Sequence, residues 1–169
     1  MLIIGNTPCS AVSKAAGMQC NGITHDQEQT QMAFWCLWAA PLLISADMRK
    51  IPAASAAILK NVAAISINQD RLGRQGFRVR NTPEGAWPGP SVQVWQKPLV
   101  DGVAVVAYNF NGTQTPITIE FDDVGFSAVT AVKVHDIFAK ADLGSFIGHF
   151  TTAAIPTDGS GFYKLTLAD

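Results

Sequence analysis

The feature that most constrains this chain is the run over residues 30–49, TQMAFWCLWAAPLLISADMR. Its first half is apolar almost all the way round a helix, because Met32, Ala33, Phe34, Trp35, Cys36, Leu37, Trp38, Ala39 and Ala40 follow one another without a polar break. A helix of that kind is either buried in a large protein or crosses a membrane. Pro41 decides between the two. Proline cannot donate the next helical hydrogen bond and its ring clashes with the preceding turn, so the stretch ends far short of the ~20 residues a span requires. Leu42, Leu43, Ile44 and Ser45 then form a short continuous apolar run, which predicts a strand covered on both faces. A helix feeding a buried parallel strand is a core piece of an α/β protein.

Upstream, residues 1–5 read as a second short buried strand, and Asn6 to Gly22 as a loop of small polar residues. Thr24 with Gln27 three positions on fits a capping box, and Asp26 and Glu28 suit the positive end of the helix dipole, so the helix is expected from Thr24 to about Ala39. Pro52 suits a first helical position and the alanines at 53, 54, 56 and 57 predict a short helix near 53–59. Strand–helix–strand–helix in this span is βαβα, which belongs to a parallel sheet that two strands cannot make alone.

The character changes near Asn68-Gln-Asp-Arg-Leu-Gly. From there apolar and polar residues alternate in short runs at 77–80, 92–95, 103–109, 117–121, 131–134, 145–150 and 162–167, with Asp-Gly, Asn-Gly and Pro-Gly between them. Seven such runs predict an antiparallel β-sandwich. The chain therefore divides into an α/β portion, 1–72, and an all-β portion, 73–169.

A net charge of −1 gives no electrostatic basis for nucleic acid or an anionic membrane surface. Arg71, Arg74, Arg78 and Arg80 are the only basic cluster, and a solvated strand edge is its simplest reading. Residues 1–5 are apolar at once and lack a basic leader, so no signal peptide is expected. Met1 inside a buried strand suggests a chain that begins within a larger protein. Cys36 reads as a small buried hydrophobe. Cys9 and Cys20 bracket the early loop and could pair in an oxidising compartment. No zinc spacing and no cofactor motif is present.

Glycosidic chemistry needs two opposed carboxyl groups. Asp47, just past the 42–45 strand, is the best-placed candidate, although it can equally pair with Arg49. Asp70 reads as part of a hydrogen-bonded corner, and Asp122-Asp123 before Val-Gly as a turn rather than a calcium loop. His25, His135 and His149 lie far apart and match no nucleophile–histidine signature, so each is expected to be structural. Asn111-Gly-Thr113 is both a hairpin turn and a glycosylation sequon. From the residues alone, no complete catalytic site assembles.

Three motifs carry a resemblance: Met1-Leu-Ile-Ile-Gly-Asn; Gln31-Met-Ala-Phe-Trp-x-x-x-Ala-Ala-Pro-Leu-Leu-x-Ser-x-Asp-x-Arg49; and Ile67-Asn-Gln-Asp-x-Leu-Gly-x-Gln-Gly76. Val134-His-Asp-Ile-Phe-Ala and Asp142-Leu-Gly-x-Phe-x-Gly-x-Phe150 extend it. Over nearly its whole length the chain resembles the α-galactosidase and α-N-acetylgalactosaminidase family, the melibiase-type glycoside hydrolases. The resemblance implies the terminal βαβα portion of a TIM (β/α)8 barrel followed by an antiparallel β-sandwich. It further implies, for the full-length parent, a retaining site for terminal α-linked galactose or N-acetylgalactosamine, homodimerisation, glycosylation, disulfides, and lysosomal or secreted location. Neither catalytic aspartate of the family has a matching position here, so the chain alone is expected to be inactive. Only Met1 matches a position the family places against the sugar. Residues 7–20 look inserted, either as a lid held by Cys9–Cys20 or as a translated intron. The rival reading is a non-catalytic carbohydrate-binding or dimerisation module. A further expectation is that the helix bearing Trp35 and Trp38 finds too little to bury against, leaving the first seventy residues protease-sensitive.

Overall fold

A computed structural model describes residues 1–6, 22–82 and 91–168. Cys9, Cys20 and the rest of the 7–20 segment, with the lid or intron read there, lie outside these described residues. Three helices come first: α1 (His25–Leu37), α2 (Ala53–Leu59) and α3 (Val62–Asn68). Eight strands follow: β1 (Phe77–Thr82), β2 (Val92–Leu99), β3 (Gly102–Asn109), β4 (Thr118–Glu120), β5 (Ala131–Asp136), β6 (Ala141–Ile147), β7 (His149–Thr151) and β8 (Ser160–Leu167).

The start of α1 is set locally. Thr24 Oγ1 accepts from the Gln27 amide at 3.3 Å, and Gln27 Oε1 accepts from the Thr24 amide at 3.0 Å, which closes the capping box. The helix ends at Leu37 rather than near Ala39, because Ala39 takes a left-handed φ of 51° and turns the chain before Pro41 can clash. Pro52 sits at the N-cap of α2, one position before the first helical residue. α3 has no counterpart among the sequence expectations. Its cap is Asn61, whose side chain accepts from the Ala64 amide at 3.1 Å while its Nδ2 donates to the Ile137 carbonyl at 2.8 Å.

The β portion is two-layered. Six strands form one antiparallel sheet in the order β1-β2-β3-β8-β5-β6, and β4 pairs with β7 in a second, smaller sheet. Between the two sheets lies one apolar core, built from Val94, Val105, Ala107, Ile119, Phe121, Val132, Phe150 and Leu165 among others. The run expected as one strand over 145–150 is two, because Gly148 at φ 78° breaks it and sends β6 and β7 to different sheets.

The other face of the large sheet is covered by the helices. Met32, Ala33, Phe34, Cys36 and Leu37 of α1 join Leu2, Ile4, Ile58, Ala64 and Ile67 in a second core with Leu99, Ala104, Val106 and Phe162 from the sheet. Helix α1 therefore has an extensive apolar surface to bury against, contrary to the expectation that it would lack one. The partner surface is the outer face of β3 and β8, which alternation alone marks as apolar but not as a helix seat.

The two early strands are reduced to a single parallel bridge between Leu2 and Ile44. Leu2 donates to the Leu43 carbonyl at 2.7 Å and Ser45 donates to the Leu2 carbonyl at 2.9 Å. Leu2 and Ile4 are fully buried as expected, but Leu43 is 61% and Ile44 40% exposed. The 42–45 run is thus not covered on both faces, since among the described residues no strand flanks it beyond Leu2 and no helix lies over its outer side.

Candidate functional site

The arginine cluster is only partly a solvated edge. Arg71 and Arg74 are exposed, but Arg78 lies over the Trp95 ring at 5.9 Å and Arg80 pairs with Asp123 at 2.7 Å. Asp122 and Asp123 occupy the turn the sequence predicts, closed by Gly125 donating to the Asp122 carbonyl at 3.3 Å.

Asp47 is resolved in favour of its second reading. Arg49 grips both its oxygens, with Nε 2.9 Å from Oδ1 and Nη2 3.0 Å from Oδ2, and the Arg49 amide also donates to Oδ1 at 3.1 Å. These bonds hold its carboxyl below the usual carboxylate range. Both oxygens of Asp47 are thus engaged by Arg49 in an exposed ion pair. Asp70 is the structural corner expected of it: Oδ1 accepts from the Leu72 amide at 3.0 Å and Oδ2 from the Val100 amide at 3.2 Å.

The three histidines stay apart. His25 lies 3.8 Å from Glu28, His149 sits opposite Glu120 in the β4–β7 ladder, and His135 Nδ1 meets Asp142 Oδ1 at 2.6 Å on the sheet surface. Met1 is exposed and Asn111 stands in the loop after β3, its amide donating to Asn109 Oδ1 at 2.9 Å. Among the described residues, no three His, Cys, Asp or Glu side chains gather as a metal site. No described helix is long and apolar enough to cross a membrane.

A groove of about 1110 Å³ lies between α1 and the β1–β3 end of the large sheet. Aromatic rings build it. Phe34 meets Trp95 and Tyr108 edge-on at 5.4 and 5.6 Å, and Trp38 meets Trp95 edge-on at 5.9 Å. Gln31, Gln75, Gln93 and Arg78 supply polar groups, and among the described residues no aspartate or glutamate lines it. Burial, aided by the charge of Asp158, raises the Tyr108 hydroxyl above its ordinary value, so it stays a neutral donor at physiological pH. The groove can pack a flat apolar surface and donate hydrogen bonds. Its described residues supply no pair of carboxyls for acid–base chemistry.

Two carboxylates do share a smaller cavity of about 330 Å³, Asp26 and Asp136. Asp136 Oδ1 already accepts from the Phe138 and Ala139 amides at 3.0 and 2.8 Å, which fixes it as a turn cap. Sequence reasoning passed over both the aromatic groove and Asp136. The groove needed the α1–sheet contact, whereas Asp-Ile-Phe-Ala after a strand is a legible turn signal.

Comparison with known proteins places these features. A model of the α-galactosidase C-terminal β-sandwich domain matches residues 89–165, and an α-galactosidase A model matches residues 15–70. The chain belongs to the α-galactosidase family. It matches the C-terminal part of that family. An α-galactosidase from Coffea arabica is 32% identical over 146 residues, covering 86% of this chain and 36% of the relative. An α-N-acetylgalactosaminidase from Gallus gallus is 33% identical over 141 residues, covering 82% of this chain and 30% of the relative. The chain thus spans about a third of the length of the curated relatives it matches. Among solved structures, an α-galactosidase from Saccharomyces cerevisiae with raffinose aligns with a TM-score of 0.77 at 18% identity, over 88% of this chain and 45% of that one. A β-L-arabinopyranosidase from Geobacillus stearothermophilus in complex with arabinose aligns with a TM-score of 0.81 at 20% identity, over 100% of this chain and 37% of that one. At such identities the likeness shows the fold, a terminal barrel portion followed by an antiparallel β-sandwich.

Proposed function

We propose that this chain supplies the closing helices and the C-terminal β-sandwich of a retaining α-galactosidase-type glycoside hydrolase, and that residues 1–169 by themselves do not turn over substrate. In the whole enzyme the reaction is a double displacement that removes terminal α-linked galactose or N-acetylgalactosamine. One carboxylate attacks the anomeric carbon, and a second carboxylic acid protonates the departing oxygen. The observation that supports the reading is the groove beside α1, among whose described lining residues there is no carboxyl group. Asp47, the best sequence candidate, is closed onto Arg49. Both carboxyls therefore come from the two thirds of the enzyme's length that the relatives carry and this chain does not match.

The division into a barrel portion, 1–72, and a sandwich, 73–169, belongs to the same reading, as do homodimeric assembly and a lysosomal or secreted location of the full-length protein. The test is an assay of the purified 169-residue chain on a chromogenic α-galactoside. No release of the chromophore above buffer is expected, and turnover by this chain overturns the proposal.

A second reading, a non-catalytic carbohydrate-binding or dimerisation module, is favoured by the aromatic groove of Trp38, Trp95 and Tyr108. It requires heat on titration with galactose, or a dimer in sedimentation. Absence of both removes it.

A further inference from the structure

Helix α1 carries no basic residue in its last turn, and neither does α3. The last four carbonyls of a helix have no partner within it and bear its negative dipole end, so something else must satisfy them. In α1 all four are accounted for. The Phe34 carbonyl accepts from the Trp38 amide at 2.9 Å, and that of Trp35 from the Ala40 amide at 3.0 Å and from Asn68 Nδ2 at 3.1 Å. The Cys36 carbonyl accepts from the Ala39 amide at 3.3 Å and from Lys97 Nζ at 3.2 Å. The Leu37 carbonyl accepts from the Gly76 amide at 2.8 Å, an approach open only to glycine, since a Cβ there would lie 2.5 Å from the Leu37 side chain.

Lys97 does more than complete that count. It comes from β2, in the sandwich, and is fully buried. Its ammonium also reaches the Ile67 carbonyl at 2.5 Å and the Asn68 carbonyl at 3.4 Å, at the end of α3. One cation from the sheet thus meets the negative ends of two helices. Asn68, held at that point, returns its own amide to the Trp35 carbonyl and to the Ala40 carbonyl at 2.9 Å. Ala40 is the residue before Pro41, where the chain leaves α1 for the 42–45 run.

We infer that Lys97 is a positioning residue through which the sandwich fixes the α1–Pro41 corner, and with it the parallel pairing of Leu2 with the strand leading to Asp47. The hydrogen-bond route is continuous: Lys97 holds the ends of α1 and α3, Asn68 holds Ala40, and residues 43–45 bracket Leu2. Burial pulls the lysine's pKa below its ordinary value, while the charge of Asp70 opposes that pull. A buried ammonium whose hydrogen bonds all go to carbonyls persists because the two helix ends supply much of the field that water no longer does. This inference does not rest on the proposed enzymatic role, because its readout is backbone protection rather than turnover.

The test is amide hydrogen exchange on the whole chain with Lys97→Met, Lys97→Arg and Lys97→Gln. Lys97→Met keeps the aliphatic packing and removes the cation. The amides of Leu2, Ala40, Ser45 and Gly76 are expected to exchange about tenfold faster or more, while those of β3 hold, because the loss is a local opening. Lys97→Arg, which keeps charge and donors, is expected to restore protection to within about threefold. Unchanged protection at Leu2 and Ser45 in Lys97→Met overturns the inference, as does an arginine variant as open as the methionine one. If Lys97→Met loses β3 protection too, Lys97→Gln decides. Acceleration confined to the same four amides supports the coupling, and uniform acceleration over all strands overturns it.

Discussion

Two runs in this chain look alike in the sequence and end in opposite places. Residues 42–45, Leu-Leu-Ile-Ser, and residues 103–107 of β3, Val-Ala-Val-Val-Ala at the start of the 103–109 run, are both short apolar stretches. In β3 the reason is visible. Ala104 and Val106 face the helices, Val105 and Ala107 face the small sheet, and all four are fully buried. Among the described residues, one bridge to Leu2 is the sole strand pairing at 42–45, and Leu43 and Ile44 remain open to solvent. A continuous apolar run states how many faces a strand needs covered. It does not state what covers them. β3 meets both layers within 169 residues, whereas the proposed function leaves the remaining cover of 42–45 to other barrel strands.

That contrast can be broken by substitution. Phe162→Ala, opposite Val106 in the β3–β8 ladder, empties a fully buried ring site shared by α1 and the sheet, and is expected to cost about 3–5 kcal/mol by urea denaturation. A cost below about 1 kcal/mol would mean the helices do not seat on the sheet.

Next is Glu28→Ala. The buried Glu28 carboxylate accepts from the Gly5 amide at 2.7 Å and from the Ser55 hydroxyl at 2.8 Å, tying residues 1–5 to α1 and α2. Its removal orphans both donors and is expected to cost about 1–3 kcal/mol, read as a fall in thermal midpoint. By contrast, Leu43→Ala is expected to change stability by no more than about 0.5 kcal/mol in this chain, because an exposed side chain loses little on truncation. A large loss there would show that the run is covered after all.

A comparably small effect concerns the sandwich surface. Lys164 Nζ donates to Asp101 Oδ2 at 2.7 Å, and this bond holds the Asp101 carboxyl below its ordinary value of 3.8. Because the folded-state pKa lies below the unfolded one, the pair contributes above about pH 4 and its contribution is lost as pH falls through the lowered folded value. Both side chains are substantially exposed, so Asp101→Asn is expected to cost about 0–1 kcal/mol at pH 7 and nothing at acid pH, by denaturation at the two pH values.

How much was legible depended on range. The Thr24–Gln27 capping box, the helix over 53–59, the Asp70 corner and the strand positions from Phe77 onward could be read because each rests on neighbours a few positions away. The break at Gly148 and helix α3 were less visible, since a glycine in a strand and an Asn-Val-Ala-Ala run each permit more than one local outcome. Asp47 shows the same limit within a site: the residues allowed both a catalytic carboxylate and an arginine pair, and only side-chain placement showed the Arg49 pair.

By itself the sequence determined the starts of α1 and α2, the turns and the alternating strands, because hydrogen-bond caps and side-chain periodicity act within one or two turns of chain, while its motifs carried the family resemblance. Only the tertiary structure decided that α1 lies across β3 and β8, that Trp38 and Trp95 line one groove, and that Lys97 is buried. Lysine is a surface residue by composition, and at position 97 it is interior because two helix ends, more than sixty and about thirty positions upstream, converge on one point of the sheet.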